Sequence, residues 1–332
     1  MKRIGIVGAG AWGTALAMVA RRAGLEVVIQ AFEPEVADAI NGAHENPTYL
    51  PGVKLDKKIR ATAAVAEAAD GAEALLLVMP SQFVRGVCRT LAKAVKPGVP
   101  AVICAKGIER DTSLLLSEVV ADVLPRTPIA VLSGPTFAVE VARDLPTGVT
   151  LAAGDGAMAV RLSDALGTAR FRIYRTGDVA GVQIGGAVKN VIAIACGIVE
   201  GRRMGENARA TVITRGLAEM VRLGAAKGAR PETLMGLSGI GDLTLTCNAM
   251  QSRNFSLGVA LGKGEKLADV MAARASVAEG VFNAASVTEL ARRLGVDMPI
   301  CLAIDGIINH FSDIDAAIAG LLSRPVGVVE TA

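Results

Sequence analysis

The strongest chemical feature of the sequence is a single lysine in an otherwise apolar helical pattern. Lys189 lies within residues 181–200, GVQIGGAVKNVIAIACGIVE, where apolar residues recur at three- and four-residue steps and predict one buried stripe. Small residues share the opposite face with Lys189 and Asn190, which predicts a groove open to another element or a ligand. A lysine removed from water has a lowered pKa and becomes a usable proton donor or acceptor. The alternative is a lysine that extends to solvent from the helix end.

Histidine, the usual general acid or base near neutral pH, is scarce in this chain. Only His44 and His310 are present. His310 lies in the apolar run IDGIINHF and is predicted to be structural. His44 lies in the loop sequence HENPTYLPG, where a surface position is the simpler interpretation and contact with a ligand stays open. Proton transfer is therefore expected from a lysine.

A second chemical feature is the glycine-rich turn near the start of the chain. Gly8, Gly10 and Gly13 form GxGxxG between a predicted strand at 3–7 and a predicted helix at 12–23, and a second strand is predicted at 26–30. The first glycine permits the tight turn, the second lets backbone reach a pyrophosphate, and the third allows close helix–strand packing. Strand, glycines, helix and second strand within one unit predict a dinucleotide site.

Glu33 follows the second predicted strand, twenty positions after Gly13. An acidic side chain there accepts hydrogen bonds from the adenosine ribose, which favours NAD. No arginine follows at once to receive a 2′-phosphate, but a basic residue from elsewhere in the fold can do so. The choice between NAD and NADP therefore stays open.

Strand and helix patterns alternate up to residue 178, which predicts a mainly parallel sheet. Lys106 follows the strand predicted at 100–104, and ligands lie beyond the carboxyl ends of parallel strands, so Lys106 is expected to be functional. Residues 44–52 are predicted as a loop. Further strands are predicted near 59 and at 74–79, 129–132, 147–153 and 171–174.

After Asp178 the strand signals stop. Helical runs follow at 180–199, 207–227, 231–237, 255–262, 266–274, 284–294 and 299–310. The predicted architecture is α/β: a Rossmann-type dinucleotide-binding domain at 1–178, followed by an all-helical substrate-binding and catalytic domain at 179–332.

Two polar clusters in the helical half are predicted to be ligand-facing loops. In the first, Asp242 follows Gly239 and Gly241, and it either orients Lys189 or only stabilises its own turn. In the second, Ser252, Arg253 and Asn254 precede a helix. They form either a phosphate cradle, because arginine binds phosphate bidentately beside helix N–H groups, or an ordinary N-cap with a solvated arginine.

Composition excludes several classes of protein. The 332 residues are 52% hydrophobic with a mean hydropathy of +0.45, which predicts a soluble globular protein with a large core. Lys189 and Asn190 interrupt the longest apolar run, so no transmembrane helix is predicted. The start MKRIGIVGAG is a strand rather than a leader, which favours the cytoplasm. A net charge of +3 with 3% aromatic residues argues against nucleic acid and suits an anionic small substrate. Five cysteines without CxxC indicate reduced thiols and no metal site.

The chain resembles the NAD(P)-dependent glycerol-3-phosphate dehydrogenase family of the bacterial biosynthetic type along nearly its whole length. The matching stretches are GAGAWGTALA, HENPTYLPG, AKGIE, LSGPTFAVEVARDLPT, GGAVKNVIAIACGIVEG, GIGDLTLTC and SRN. The last four together separate this family from the 3-hydroxyacid and 6-phosphogluconate dehydrogenases. The resemblance implies reversible reduction of dihydroxyacetone phosphate to sn-glycerol 3-phosphate for phospholipid synthesis, with NAD or NADP as cofactor, in a homodimer.

The resemblance also implies roles for individual residues. Lys189 matches the proton-transfer residue, and Asp242 belongs to its pocket. Substrate contacts are implied for Lys106, Gly134, Thr136, Ser252, Arg253 and Asn254, and cofactor contacts for Ala11, Trp12, Phe32, Lys106, Ala138, Arg253 and Glu279. Phe32 replaces a basic residue often found there, which weakens any preference for NADP, and Asn248 stands where members commonly carry serine.

Two other functions stay open on the sequence alone. A 3-hydroxyacid dehydrogenase would require a carboxylate substrate and ignore dihydroxyacetone phosphate. A catalytically silent dinucleotide sensor would bind NADH without consuming it, but it has no need of the polar residues in the helical half.

Overall fold

The computed structural model describes residues 1–273 and 278–323, which form two compact units. The first unit comprises Met1–Lys106 and Leu116–Val179, and the second comprises 107–115 and the described residues from Ala180 onward. Residue 274 of the helix predicted at 266–274 and residues 324–332 of the predicted second domain lie outside the described residues.

The first unit alternates strands and helices as predicted. In chain order its elements are β1 (Arg3–Val7), α1 (Ala11–Arg22), β2 (Glu26–Gln30), α2 (Pro34–Gly42), β3 (Glu45–Asn46), β4 (Leu50–Lys54), β5 (Ile59–Thr62), α3 (Val65–Ala69), β6 (Ala74–Leu77), α4 (Val84–Leu91), β7 (Ala101–Ile103), α5 (Leu116–Val123), β8 (Ile129–Ser133), α6 (Ala138–Ala142), β9 (Thr147–Ala153), α7 (Gly156–Leu166) and β10 (Phe171–Thr176).

Eight of these strands form one sheet in the order β10-β9-β8-β7-β6-β1-β2-β5. All neighbouring pairs are parallel except β8 and β9, which are antiparallel. The central strands are continuous apolar runs, such as the fully buried Ala74–Leu77 of β6, because helices cover both faces of a parallel sheet. The predicted Rossmann-type, mainly parallel domain is confirmed.

Three details of the first unit differ from the sequence-based prediction. The loop predicted at 44–52 contains a small antiparallel hairpin, in which β3 pairs with β4 and the register shifts between Glu45 and Asn46. Two prolines and a two-residue strand hide this hairpin from a period-two pattern. Helices α5 and α7 were also not predicted.

The second unit is helical, as predicted. Its helices are α8 (Val179–Gly201, of which Ala180 onward belongs to this unit), α9 (Glu206–Ala226), α10 (Pro231–Leu234), α11 (Asp242–Cys247), α12 (Arg253–Gly262), α13 (Leu267–Ala272), α14 (Glu279–Leu294), α15 (Pro299–Asn309) and α16 (Ile314–Leu322). A π-helical turn, Leu237–Gly241, leads directly into α11.

Helix α8 is the core of this unit, with every residue from Gly181 through Val199 buried. By length and composition it is long and apolar enough to cross a membrane, but its apolar window lies wholly inside the protein, as core helices of soluble proteins do. The groove predicted on its polar face is occupied by the backbone of α12. A Cβ at Gly197 would lie 2.1 Å from the Phe255 carbonyl oxygen, and one at Gly258 would lie 2.1 Å from that of Ile194.

The two clusters predicted to be loops are instead helix starts. Asp242 is the first residue of α11, because the preceding glycines adopt a π-helical turn rather than a reverse turn. A Cβ at Gly239 would lie 1.9 Å from the Leu234 carbonyl oxygen, so only glycine permits this turn. Ser252 is the N-cap of α12, and Arg253 and Asn254 are its first two residues.

Three further features of the structure can be compared with the sequence analysis. Helix α16 was not predicted. His310 is the C-cap residue of α15; 72% of its side chain is exposed, and its Nε2 lies 3.9 Å from Asp305 Oδ2. All five cysteines are buried and free, as predicted for reduced thiols.

Candidate active site

Residues 8–13, the glycine turn, lie at the carboxyl end of β1, between β2 and β6. Gly8 has a φ of +107°, and a Cβ there would lie 2.8 Å from the Met79 backbone nitrogen. A Cβ at Gly13 would lie 1.9 Å from the Gly8 carbonyl oxygen, so α1 packs directly on the turn. In open α/β sheets, ligands bind at this kind of strand-order switch.

The glycine turn fits a dinucleotide. Gly10 is the N-cap of α1 and contributes no side-chain cap, and a Cβ there would meet nothing within 4 Å. Space is therefore open at the helix N-terminus, where N–H groups and the helix dipole favour a pyrophosphate. Ala11 and Trp12, both predicted cofactor contacts, form the first turn of this helix.

The end of β2 carries the predicted ribose-binding residue. Glu33 is the N-cap residue of α2 and is partly buried, and its Oε1 accepts a 2.7 Å hydrogen bond from the Tyr49 hydroxyl. Phe32 beside it is 87% exposed. Ala138, another predicted cofactor contact, is the first residue of α6.

Three predicted substrate residues of the first unit meet at one carbonyl. Lys106 Nζ donates to the Gly134 carbonyl oxygen at 3.1 Å, and Thr136 Oγ1 donates to it at 3.2 Å. Gly134 has a φ of +152°, and a Cβ there would lie 2.9 Å from Val149 Cα. The backbone conformation thus requires glycine and presents the carbonyl to both side chains.

Lys189 is buried in the second unit and does not extend to solvent. Its Nζ lies 2.5 Å from Asp242 Oδ1 and donates to Thr246 Oγ1 at 2.9 Å, while the Thr246 hydroxyl donates to the Asp242 carbonyl oxygen at 2.6 Å. Lys189 is 6% exposed and Asp242 is fully buried. We call Lys189, Asp242 and Thr246 the lysine site.

The Cys247 thiol lies near the charged groups of the lysine site. Burial raises the pKa of the Cys247 thiol well above its ordinary value, and contact with Cys196 raises it further, while the Lys189 charge acts in the opposite direction. The thiol therefore stays protonated, so it adds no charge beside the ion pair.

An asparagine network lies next to the lysine site on α8. Asn254 Nδ2 donates to Asn190 Oδ1 at 2.9 Å, and Asn254 Oδ1 accepts from the Gly280 backbone nitrogen at 2.9 Å. The N-termini of α12 and α14 therefore meet beside Asn190. Glu279, a predicted cofactor contact, is the first residue of α14.

The serine–arginine–asparagine cluster contains an N-cap. Ser252 Oγ accepts from the Phe255 backbone nitrogen at 3.2 Å, and the residue is buried. Arg253, the first residue of α12, is exposed at the helix N-terminus. Ser252 therefore caps this helix, whether or not it also contacts a ligand, and a positive charge stands where a helix dipole also attracts anions.

Sequence reasoning missed two residues that the structure joins to the predicted ones. Thr246 lies four residues after Asp242, the spacing that brings side chains to one helix face, and only the prediction of a loop hid this signal. Asn190 was assigned to the face of Lys189 but not to a site. No local sequence pattern predicts the hydrogen bond between Asn190 and Asn254, because the two residues are 64 positions apart.

A Rossmann-type unit with a glycine turn, followed by a helical unit with a buried lysine–aspartate pair, defines a nicotinamide-dinucleotide-dependent oxidoreductase. Residues 3–159 match the family model for the N-terminus of NAD-dependent glycerol-3-phosphate dehydrogenase, and residues 178–319 match the model for its C-terminus. The chain belongs to this family, and it is an NAD(P)-dependent enzyme. The resemblance seen in the sequence motifs is confirmed.

Individual relatives lead to the same family. The chain is 59% identical over 326 residues to glycerol-3-phosphate dehydrogenase [NAD(P)+] of Rhodospirillum rubrum, covering 98% of this chain and 93% of the relative. It is 53% identical over 325 residues to the protein of that name from Caulobacter vibrioides, covering 98% of each. The crystal structure of glycerol-3-phosphate dehydrogenase from Coxiella burnetii matches with a TM-score of 0.94 at 38% identity, covering 97% of this chain and 99% of that one.

Proposed function

We propose that this enzyme reversibly reduces dihydroxyacetone phosphate to sn-glycerol 3-phosphate, with Lys189 as the proton donor. When bound, NADH or NADPH supplies the hydride to the ketone carbon. The Lys189 ammonium gives its proton to the oxygen as negative charge develops there, and the amine regains a proton from solvent. In the reverse direction the neutral amine accepts the proton of the alcohol.

The observation that carries this proposal is the buried pair of Lys189 and Asp242. A charged pair buried between two helices has a large desolvation cost, and apolar residues of similar volume stabilise a fold at least as well. Asp242 and Thr246 hold the ammonium in one direction, as a positioned general acid requires. This arrangement supports a chemical role rather than a structural one.

Positive charges support a phosphorylated substrate. Arg253 stands exposed at the N-terminus of α12, and Lys106 follows β7 in the first unit. We propose that each unit contributes substrate contacts: Lys106, Gly134 and Thr136 in the first, and Ser252, Arg253 and Asn254 in the second. Binding energy gained at the phosphate then orients the ketone for reaction.

The roles proposed for the two predicted domains follow from the same residues. Residues 1–178 bind the dinucleotide through the glycine turn, Ala11, Trp12, Phe32, Glu33, Lys106 and Ala138, and residues 179–332 supply the proton donor, with Arg253 and Glu279 as further cofactor contacts. Because sn-glycerol 3-phosphate is the backbone of glycerophospholipids, we propose a role in phospholipid synthesis. We also propose that the enzyme is a homodimer and that it acts in the cytoplasm.

The experiment that tests this proposal is oxidation of NADH and of NADPH by the purified protein, followed by absorbance, with dihydroxyacetone phosphate or unphosphorylated dihydroxyacetone. We expect turnover that depends on the phosphate. Turnover with a 3-hydroxyacid or its ketoacid instead would indicate the related dehydrogenase activity. NADH binding without turnover on any of these substrates would indicate a dinucleotide sensor.

A further inference from the structure

The hairpin at 45–54 is attached to the glycine turn by one buried asparagine. Asn46 is fully buried, and its Nδ2 donates at 2.8 Å both to the Ala9 carbonyl oxygen and to Thr14 Oγ1. Its Oδ1 accepts from the Tyr49 backbone nitrogen at 3.1 Å. The position of Tyr49 is therefore determined by the same turn that fits the pyrophosphate.

Tyr49 in turn holds the carboxylate of Glu33. The phenol donates to Oε1 at 2.7 Å, and this bond, with burial and the carboxylate charge, raises the pKa of Tyr49 to about 12. The hydroxyl thus remains a donor throughout the neutral range. Only one of the two carboxylate oxygens takes part in this bond.

The segments at the ends of β2 and β5 carry only negative charge, which is unfavourable to an added phosphate. The ends of β2 and β5 are neighbours in the sheet, and the segments there are AFEPEV at 31–36 and TAAVAE at 62–67, which contain three acids and no lysine or arginine. Phe32 presents an exposed aromatic ring rather than a cation. A fixed carboxylate accepts hydrogen bonds from ribose hydroxyls and repels a 2′-phosphate.

We propose that Tyr49 is a positioning residue that orients Glu33 and thereby makes this enzyme select NADH over NADPH. The inference rests on the proposed cofactor role of Glu33, and it assigns the selectivity to a bond formed by the hairpin rather than to the carboxylate alone. Tyr49 contacts the carboxylate, so its effect on the cofactor passes through Glu33.

The test compares Tyr49→Phe with Glu33→Ala and with the double variant. Dissociation constants for NADH and NADPH are measured by fluorescence titration, and kcat/KM is measured with each cofactor and dihydroxyacetone phosphate. We expect Tyr49→Phe to weaken NADH binding by about 3- to 10-fold, the size of effect that one ordinary hydrogen bond has, without weakening NADPH binding. Glu33→Ala should reduce the preference further, and Tyr49→Phe should then have no additional effect.

The matched control is Tyr174→Phe, which removes the hydroxyl of the chain's other tyrosine, an exposed residue of β10. It should leave both dissociation constants unchanged. If Tyr49→Phe does not fold, Glu33→Gln keeps an acceptor for the phenol, removes the charge, and should improve NADPH binding relative to NADH.

Two results would overturn the inference: an unchanged NADH-to-NADPH ratio in Tyr49→Phe, whether neither affinity changes or both fall equally, or an additive effect in the double variant. An equal loss would mean that the phenol only supports the hairpin. The binding measurements do not depend on the substrate. A changed binding ratio in a protein that does not reduce dihydroxyacetone phosphate would therefore reject the proposed reaction and retain the role of Tyr49.

Discussion

The glycine turn of the first unit is a site made of backbone, whereas the lysine site of the second unit is made of side chains. In the turn, Gly8 and Gly13 are needed because a Cβ would collide with neighbouring main chain. In the lysine site, Lys189 meets Asp242 from a different helix, 53 residues further along the chain. A backbone site can be recognised from the spacing of glycines within one short segment of sequence. A side-chain site forms only after helices from separate parts of the chain have packed.

The largest effect on stability is expected from breaking the ion pair of the side-chain site. Asp242→Asn leaves the Lys189 ammonium buried without its counter-charge, which should lower the free energy of unfolding by roughly 3–5 kcal/mol. Asp315→Asn is the control, because its pair with Arg202 at 3.1 Å lies at the surface, and the expected change is about 0–1 kcal/mol. Equal effects in denaturant titrations would show that burial of the lysine site does not matter.

Backbone contact also has a role in the second unit, in the seam between α8 and α12. Gly258→Ala places a methyl group against the Ile194 carbonyl oxygen, so we expect a loss of about 1–3 kcal/mol from overpacking. Gly320→Ala lies on helix α16, where a Cβ meets nothing within 4 Å, and should stabilise by about 0.5–1 kcal/mol. If thermal unfolding showed that Gly258→Ala is tolerated as well as Gly320→Ala, the close approach of α12 to α8 would be contradicted.

A smaller, pH-dependent effect is expected at Glu219, whose buried carboxylate caps α15. It accepts from the Ile300 backbone nitrogen at 2.6 Å and from that of Cys301 at 3.1 Å, but burial outweighs these bonds and raises its pKa. Its contribution to stability is therefore full below about pH 4.3, the ordinary value for glutamate, and declines as pH rises through the raised pKa. Relative to Glu219→Gln, the native protein should lose stability from acid toward neutral pH. A constant difference between the two unfolding curves would contradict this.

The smallest effect, of opposite sign, is expected at Glu289, a partly exposed carboxylate. Arg292 and then Arg293 lower the pKa of this carboxyl to about 2. Its contribution is present above about pH 4.3 and is lost as pH falls through about 2. Compared with Glu289→Gln, the native protein should show only a slight acid-dependent loss, and added salt should remove it. A salt-independent loss as large as that at Glu219 would count against the contrast between buried and partly exposed carboxylates.

The features that could be predicted from the sequence are mainly those determined by backbone within one short segment. The glycine turn, the parallel sheet and the helical second unit were all predicted, because GxGxxG between strand and helix and the change from alternating to purely helical patterns are local signals. The antiparallel pairing of β8 with β9 was not, since pairing direction depends on contacts between separate segments.

The residues of the second unit show what a pattern leaves out. Lys189 stood out because it interrupts an apolar run, but its partners did not. Glycines before Asp242 suggested a turn, and the π-helical geometry that brings Asp242 to Lys189 depends on contact with Leu234. Thr246 and Asn190 were not assigned to the site because their roles arise from hydrogen bonds across helices.

The most direct test of the account measures NADH binding and dihydroxyacetone phosphate reduction on the same preparation of Lys189→Met, with the exposed Lys93→Met as control. Lys189→Arg accompanies them, because it keeps a charge beside Asp242 but donates a proton poorly at neutral pH. The account predicts that both Lys189 variants bind NADH normally and reduce the ketone roughly 10²- to 10⁴-fold more slowly, while Lys93→Met is unchanged. Normal turnover in either Lys189 variant would contradict the role of Lys189 as proton donor.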